Sequence, residues 1–336
     1  MDPKSGSCCI CGKSTRRCPA KYKGVAANSV VNRITGRRTT TYGFVWRDMS
    51  CSRDSTGDCF AWVRDQLNEM GVRLFDERLP EYAPVFQRLF SGEASTWESS
   101  LAFERAMQPQ LWRDSQWGRS YIRQHSHMVT TEYAVHLLMQ TRFQGQPDPL
   151  DTDPATAPLM RISWTHHEHC WQCGLVTDAP LMPFNTDRIA IDRLQNFCED
   201  ADFLSHLNET LPACPICGHG AQRIDDATLR LPMVIRVSTG FLYSTQHAAL
   251  RQMANLELPR RVLIRDKWYV LCAVAYGEGS HFVGQFWDVL TSQLHYADGM
   301  ENNGQFVAVT GSFRVSVRGY LCNDMYYVDE DYLKSL

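Results

Sequence analysis

Cys59, His281 and Asp298 are the residues of this 336-residue chain whose types and order suit nucleophilic attack on a carbonyl. A cysteine attacks only as thiolate, and a helix N-terminus or a neighbouring imidazole lowers its pKa enough. Cys59 follows Gly57-Asp58, and Phe60, Val63, Leu67, Met70 and Leu74 recur after it at helical spacing, which predicts a helix beginning at Cys59. His281 sits among Gly277, Gly279, Ser280 and Gly284, where a loop can bring it to a thiolate. Asp298 lies seventeen residues further on, before Gly299, as the return strand of a hairpin would carry it. A carboxylate there can hold the far imidazole nitrogen, completing a Cys-His-Asp triad.

A second constellation is metal-ligating. Cys170/Cys173 and Cys214/Cys217 are two C-x-x-C pairs forty residues apart, each followed by a glycine (Gly174, Gly218). Four thiolates from two knuckles satisfy a closed tetrahedral Zn²⁺ site. His166, His167, His169 and His219 are near enough in sequence to replace a sulfur. Cys8, Cys9, Cys11 and Cys18 offer a further metal or an unstructured thiol-bearing tail, with Cys51 the nearest fourth ligand.

The elements that must position these residues follow from pattern. Residues 1–41 carry nine Lys/Arg against one acid, leaving twenty-five against thirty-six in the rest, so a basic extension (about 1–50) precedes an acidic body. That extension suits an acidic or nucleic-acid partner, or simple solvation. A helical stretch is expected near residues 131–140, and four prolines with three acids make 145–158 a loop. From Leu231 onward the apolar runs read as strands: 233–237, 262–264, 268–276, 282–287, 306–309 and 313–320. Thirteen cysteines, four of them in C-x-x-C pairs, argue for reduced thiols over a disulfide framework. No apolar run reaches membrane-spanning length and the first twenty residues lack a signal-peptide core, so a cytoplasmic or nuclear, non-membrane protein is expected.

Taken in order, these blocks resemble the catalytic domain of ubiquitin-specific proteases over Cys59 to Tyr320. Thr131-Glu-Tyr-Ala-Val-His-Leu-Leu and Arg142-Phe-Gln-Gly occupy the family's middle positions, ahead of Cys170-Trp-Gln-Cys-Gly. Arg193-Leu-Gln-Asn-Phe-Cys is similar to the segment between the zinc pairs, and Leu231-Pro-Met-Val-Ile-Arg-Val to the strand after them. Trp268 to Tyr276 with Ser280-His-Phe-Val-Gly resembles the His box, and Gly319-Tyr-Leu-Cys the closing strand.

The resemblance implies an α+β, papain-like fold over 51–336: a helical thumb with Cys59, an antiparallel β palm with His281 and Asp298, and zinc-ribbon fingers over about 160–230. It implies a deubiquitinase whose thiolate attacks the last glycine of ubiquitin. It also puts Asp54 where the family has an oxyanion-donating Asn five residues before the nucleophile, and Trp62-Val63 where Asn-Ser follows it. A carboxylate cannot donate to an oxyanion unless protonated. A weakly catalytic ubiquitin-binding scaffold, and a papain-like protease for another modifier or a polyprotein, therefore stand as alternatives.

Overall fold

The computed structural model describes residues 29–31, 38–41, 43–44, 51–91, 96–113, 135, 138, 166–170, 175–179, 191–200, 222–223, 231–239, 244–264, 266–278, 281–301 and 304–335. Elements are numbered along these residues.

The palm is an antiparallel sheet. Strands β6 (Val234–Ser238), β7 (Arg261–Ile264), β8 (Lys267–Glu278), β9 (His281–Asp288), β10 (Gln293–Ala297), β11 (Val307–Val309), β12 (Ser316–Val317) and β13 (Tyr320–Asp329) build it. The order β11-β10-β9-β8-β13-β12 is joined by β6 on β13 and by β7 on the start of β8. The sheet expected beyond Leu231 is thus present, with one difference. The strand expected over 313–320 is instead the two-residue β12 and a turn, and β13 begins at Tyr320 and runs through Asn323, Asp324 and Asp329 as a buried central strand. β8 and β6 flank it on both sides.

The helical layer, or thumb, opens with α1 (Cys51–Gln66), followed by α2 (Glu69–Arg78), α3 (Ala83–Ser91) and α4 (Thr96–Arg113). The single helix expected through Leu74 is two. Asn68 caps α2 by accepting from the Gly71 N–H (2.9 Å), while its own N–H donates to the Tyr332 carbonyl (2.8 Å). The chain turns there, and Met70 faces solvent. Near residues 131–140, Val135 and Leu138 are described; both are helical and buried in the thumb core.

α1 is the element that joins thumb to palm. Trp62 lies among Phe90, Phe286, His295 and Phe306, with ring centroids 5.0–6.0 Å away. Its indole N–H donates to the Trp287 carbonyl (2.8 Å), which satisfies the one polar atom the burial would strand. One turn on, the Gln66 side-chain carbonyl accepts from the Val289 N–H (2.9 Å). These two bonds fix the helix lengthwise along β9.

Two smaller sheets lie elsewhere in the sequence. β1 (Ser29–Val31) pairs with β2 (Arg38–Thr41) inside the basic N-terminal segment, and α3 approaches β1. β3 (His166–Cys170) pairs with β4 (Leu175–Ala179) and with β5 (Gln222–Arg223). Helices α5 (Ile191–Asp200) and α6 (Ser244–Gln252) complete the set, and Leu194 and Phe197 of α5 pack into the palm's core. Among the described residues no helix is long and apolar enough to cross a membrane.

Candidate active site

Strand pairing brings His281 and Asp298 together. β9 and β10 pair as Asp288↔Gln293 through Gly284↔Ala297, so Asp298 falls one step beyond the ladder, opposite Val283. His281 and Val283 share a sheet face by the two-residue period, so Asp298 is a diagonal neighbour of His281, within side-chain reach. The tight hairpin that sets this register is held by Asp288, whose carboxylate accepts from the Leu290 and Thr291 N–H groups (2.9 and 3.1 Å). His281 Nε2 lies 2.9 Å from Asp298 Oδ1. The Asp298 carboxylate also accepts from the Met300 N–H (2.8 Å). The Tyr320 ring stands edge-on to the imidazole, with centroids 5.5 Å apart.

Burial pushes the Asp298 carboxyl up, but the His281 hydrogen bond and charge together with the Met300 and Glu301 N–H groups outweigh it and hold the pKa below the ordinary value. A carboxyl whose folded pKa is depressed stabilises the fold above its unfolded pKa of about 4, and that contribution disappears as pH falls through the lower, folded value. Asp298→Asn should therefore flatten the fall in melting temperature between pH 5 and pH 3. An unchanged acid profile in the variant would show that the bond adds nothing to stability.

Cys59 does not stand where the sequence suggested. It is the ninth residue of α1, not its start, and it is fully buried. Burial raises its thiol well above the usual value, and the nearby Asp58 and Asp324 carboxylates raise it further. A thiol so placed has no helix N-terminus beside it. The helix start expected at Cys59 lies eight residues earlier, because the mainly polar residues 51–58 are helical.

The helix start lies elsewhere, and its height against the palm can be counted. Trp62 is bonded to Trp287, and Ser55 shares a cleft with Val283 and Gly284. Those seven helical residues span about 10 Å, as do the three to four residues of strand they run beside. Four residues before Ser55 is Cys51, about 6 Å further along the helix, and two residues before Val283 is His281, about 6.6 Å further along the strand. Cys51 is thus level with His281, whereas Cys59 is about 12 Å along the axis from Cys51.

The helical face agrees with the height. Asp54, Ser55 and Asp58 line the cleft with Phe44, Phe282, Val283, Gly284, Ala297 and Gly299. Positions 51, 54, 55 and 58 share one face at about 3.6 residues per turn, and position 59 is about a quarter-turn off it. Asp54 lines the cleft with its Oδ1 4.0 Å from Arg53 Nε. Sequence reasoning missed Cys51 as a candidate thiol. The signal was there: counting from Cys51, Asp54-Ser55 fall at the third and fourth positions, where the resemblance sets Asn-Ser.

Of the proposed zinc ligands, Cys170 is the last residue of β3, while Cys173, Cys214 and Cys217 lie outside the described residues. So do Cys8, Cys9, Cys11 and Cys18. Among the described residues no group of three or more His, Cys, Asp or Glu is gathered to hold a metal.

No protein-family model matches this sequence, and no curated protein does. Solved structures do match in shape. The Saccharomyces cerevisiae Pan2 pseudoubiquitin hydrolase–RNA exonuclease module, in complex with AAGGAA RNA, superposes with a TM-score of 0.53 at 11% identity, over 91% of this chain and 56% of that one. The same module without RNA gives 0.53 at 10% identity, over 87% and 55%. This chain spans little more than half the length of those neighbours. At such identity the likeness concerns the fold, and the fold is that of a divergent ubiquitin-hydrolase-like domain.

Proposed function

We propose that this protein is a cysteine-type deubiquitinase whose nucleophile is Cys51, with His281 as base and Asp298 as its orienting carboxylate. The observation that carries this reading is the 2.9 Å His281–Asp298 bond; counting helical and strand rise from Trp62 and Ser55 brings the first residue of α1 to about the same height. A helix N-terminus and an imidazole are the two devices that lower a thiol's pKa, and in this reading both act on Cys51. Cys59 has neither.

The chemistry would run as acyl transfer. The Cys51 thiolate adds to the carbonyl of ubiquitin's C-terminal glycine. His281, held through Nε2 by Asp298, passes a proton from Nδ1 to the departing lysine amine, leaving a thioester. Water, deprotonated by the same nitrogen, then releases ubiquitin and frees the thiol. The ubiquitin-hydrolase-like fold supports ubiquitin as the substrate class.

The test is an adduct. Full-length protein incubated with ubiquitin bearing a C-terminal electrophile should gain the mass of one ubiquitin. Cys59→Ala should still gain it, whereas Cys51→Ala should not. Loss of the adduct with Cys59→Ala alone would return the nucleophile to Cys59. The name of the fold neighbours, pseudoubiquitin hydrolase, supports a second reading: a scaffold that binds ubiquitin without cleaving it. Ubiquitin binding with no adduct in the parent protein would favour that one.

We also propose structural zinc at Cys170, Cys173, Cys214 and Cys217. Cys170 pairs with Leu175, so Cys173 falls in sequence between two paired strand ends, which supports a knuckle there. β5 pairs as Gln222↔His169 and Arg223↔Glu168, so it enters the sheet from the end at which β3 closes on Cys170, five residues after Cys217. Bound zinc would staple this small sheet, and no step of the chemistry passes through it. Elemental analysis should find about one zinc per chain, lost with Cys214→Ser/Cys217→Ser; zinc-free protein with an intact fold would refute the site.

A further inference from the structure

The segment that precedes α1 links the helix to the loop that carries Asp298. The Phe44 N–H donates to Asp58 Oδ1 (2.8 Å), a buried contact fourteen residues apart in sequence. The neighbouring Gly43 N–H donates to the Gly304 carbonyl (2.9 Å). Gly304 in turn donates to the Glu301 carbonyl (2.9 Å), and Glu301 to the Asp298 carbonyl (3.0 Å). An unbroken run of bonds therefore leads from Asp58 to the backbone of Asp298, and through its side chain to His281.

The seat on the helix is shaped for this segment. The Phe44 ring stacks on Phe103 with centroids 4.4 Å apart. A methyl group at Gly57 would come within 2.6 Å of Phe103 and 2.9 Å of Phe44. One at Gly43 would come within 2.5 Å of both Asp58 carboxylate oxygens. Two missing side chains and one buried acceptor thus let residues 43–44 lie directly on α1.

Resting on the reading of His281 and Asp298 as base and orienter, we propose that Asp58 is a positioning residue: it holds residues 43–44 on α1 and so fixes the loop that aims Asp298 at His281. Its task is to accept a hydrogen bond, which needs no charge. Burial raises the Asp58 carboxyl well above its ordinary value, against the pull of the Phe44 N–H, with the Asp54 carboxylate adding to the rise. A neutral amide of the same shape should serve as well.

The readout is the rate at which iodoacetamide alkylates Cys51 in the full chain at pH 6.5, located by peptide mass, beside kcat and KM on a ubiquitin substrate. His281→Ala should slow alkylation at least tenfold, because the thiolate loses its imidazolium. Asp58→Ala should lower both the alkylation rate and kcat about tenfold, with KM unchanged, and Asp58→Asn should restore both to within twofold. Gly43→Ala, which displaces the carboxylate without removing it, should match Asp58→Ala even if the latter folds poorly. In an Asp298→Ala background, Asp58→Ala should cost nothing more, since it acts through Asp298.

A His281 effect with no Asp58 or Gly43 effect would overturn the proposal alone. So would losses that add fully in the double variant, or an Asp58→Asn as slow as Asp58→Ala. Cys51 alkylation indifferent to His281 would overturn the catalytic reading itself, and this proposal with it.

Discussion

His281→Ala is expected to lower kcat on a ubiquitin substrate by about five to six orders of magnitude, and Asp298→Ala by about one to two orders less, as in hydrolytic triads where the base and the orienter have been removed separately. The difference follows from the geometry. In the proposed reaction the imidazole carries the proton in both halves, so its loss would leave thiol and leaving group unassisted. Asp298 only holds Nε2, and it shares that work with the strand: β9 pairs with β8 as Glu278↔His281 and with β10 from Gly284 onward, so the backbone carrying His281 stays in register without the carboxylate. A ring on that backbone still finds the productive orientation part of the time. Single-turnover cleavage of a fluorogenic ubiquitin conjugate reads both losses. Equal abolition by the two variants would give Asp298 a part in the proton transfer itself, and a small effect of His281→Ala would end the triad reading.

How the site was legible shows where sequence pattern ends. His281 and Asp298 could be paired from sequence because a hairpin forces partners: the strand periods on both sides and the turn between them leave little freedom of register. The helix start could not. Asp54, Ser55, Thr56 and Asp58 are weak helix formers whose short polar side chains compete for the backbone, and Gly57 adds its entropy cost, so propensity starts the helix only at the first apolar residues, Cys59 and Phe60. In the fold those polar residues are buried, from 0% exposed at Thr56 to 6% at Asp58, and tertiary contacts with Phe44 and β9 make them helical. An eight-residue error in a helix start moves Cys59 from the helix N-terminus to the buried ninth position of α1. β13 was foreseen only at its first residues, in the resemblance of Gly319-Tyr-Leu-Cys to a closing strand, for a related reason: Asn323, Asp324 and Asp329 look like loop residues until their partners are known. Lys267 Nζ lies 2.6 Å from an Asp329 carboxylate oxygen, and Arg236 serves Asp324. Both partners come from strands that are distant in sequence.

The Arg236–Asp324 pair predicts the largest single loss of stability. The two side chains meet at 2.6 Å on adjacent strands, where Arg236 opposes Tyr326 and Asp324 lies one diagonal step away. Asp324 is entirely shut off from solvent at the centre of the sheet, beneath α1. Two ions brought out of water are costly, and their attraction returns that cost only while both are present. Arg236→Ala leaves a carboxylate with neither water nor counter-ion, beside the Cys59 thiol and the Tyr326 hydroxyl, whose pKa values it already helps to raise. The expected loss is about 3–5 kcal/mol, seen as a fall in the midpoint of urea unfolding at constant m-value. Arg236→Met/Asp324→Leu, which removes both charges and keeps the volume, should recover most of it. If Arg236→Ala costs less than about 1 kcal/mol, Asp324 is reached by water and the pair behaves as a surface ion pair. If the apolar double variant is as unstable as the single one, the ion pair sets the register between β6 and β13 as well as neutralising a buried charge, and the strand that supports Cys59 and α1 from below depends on it.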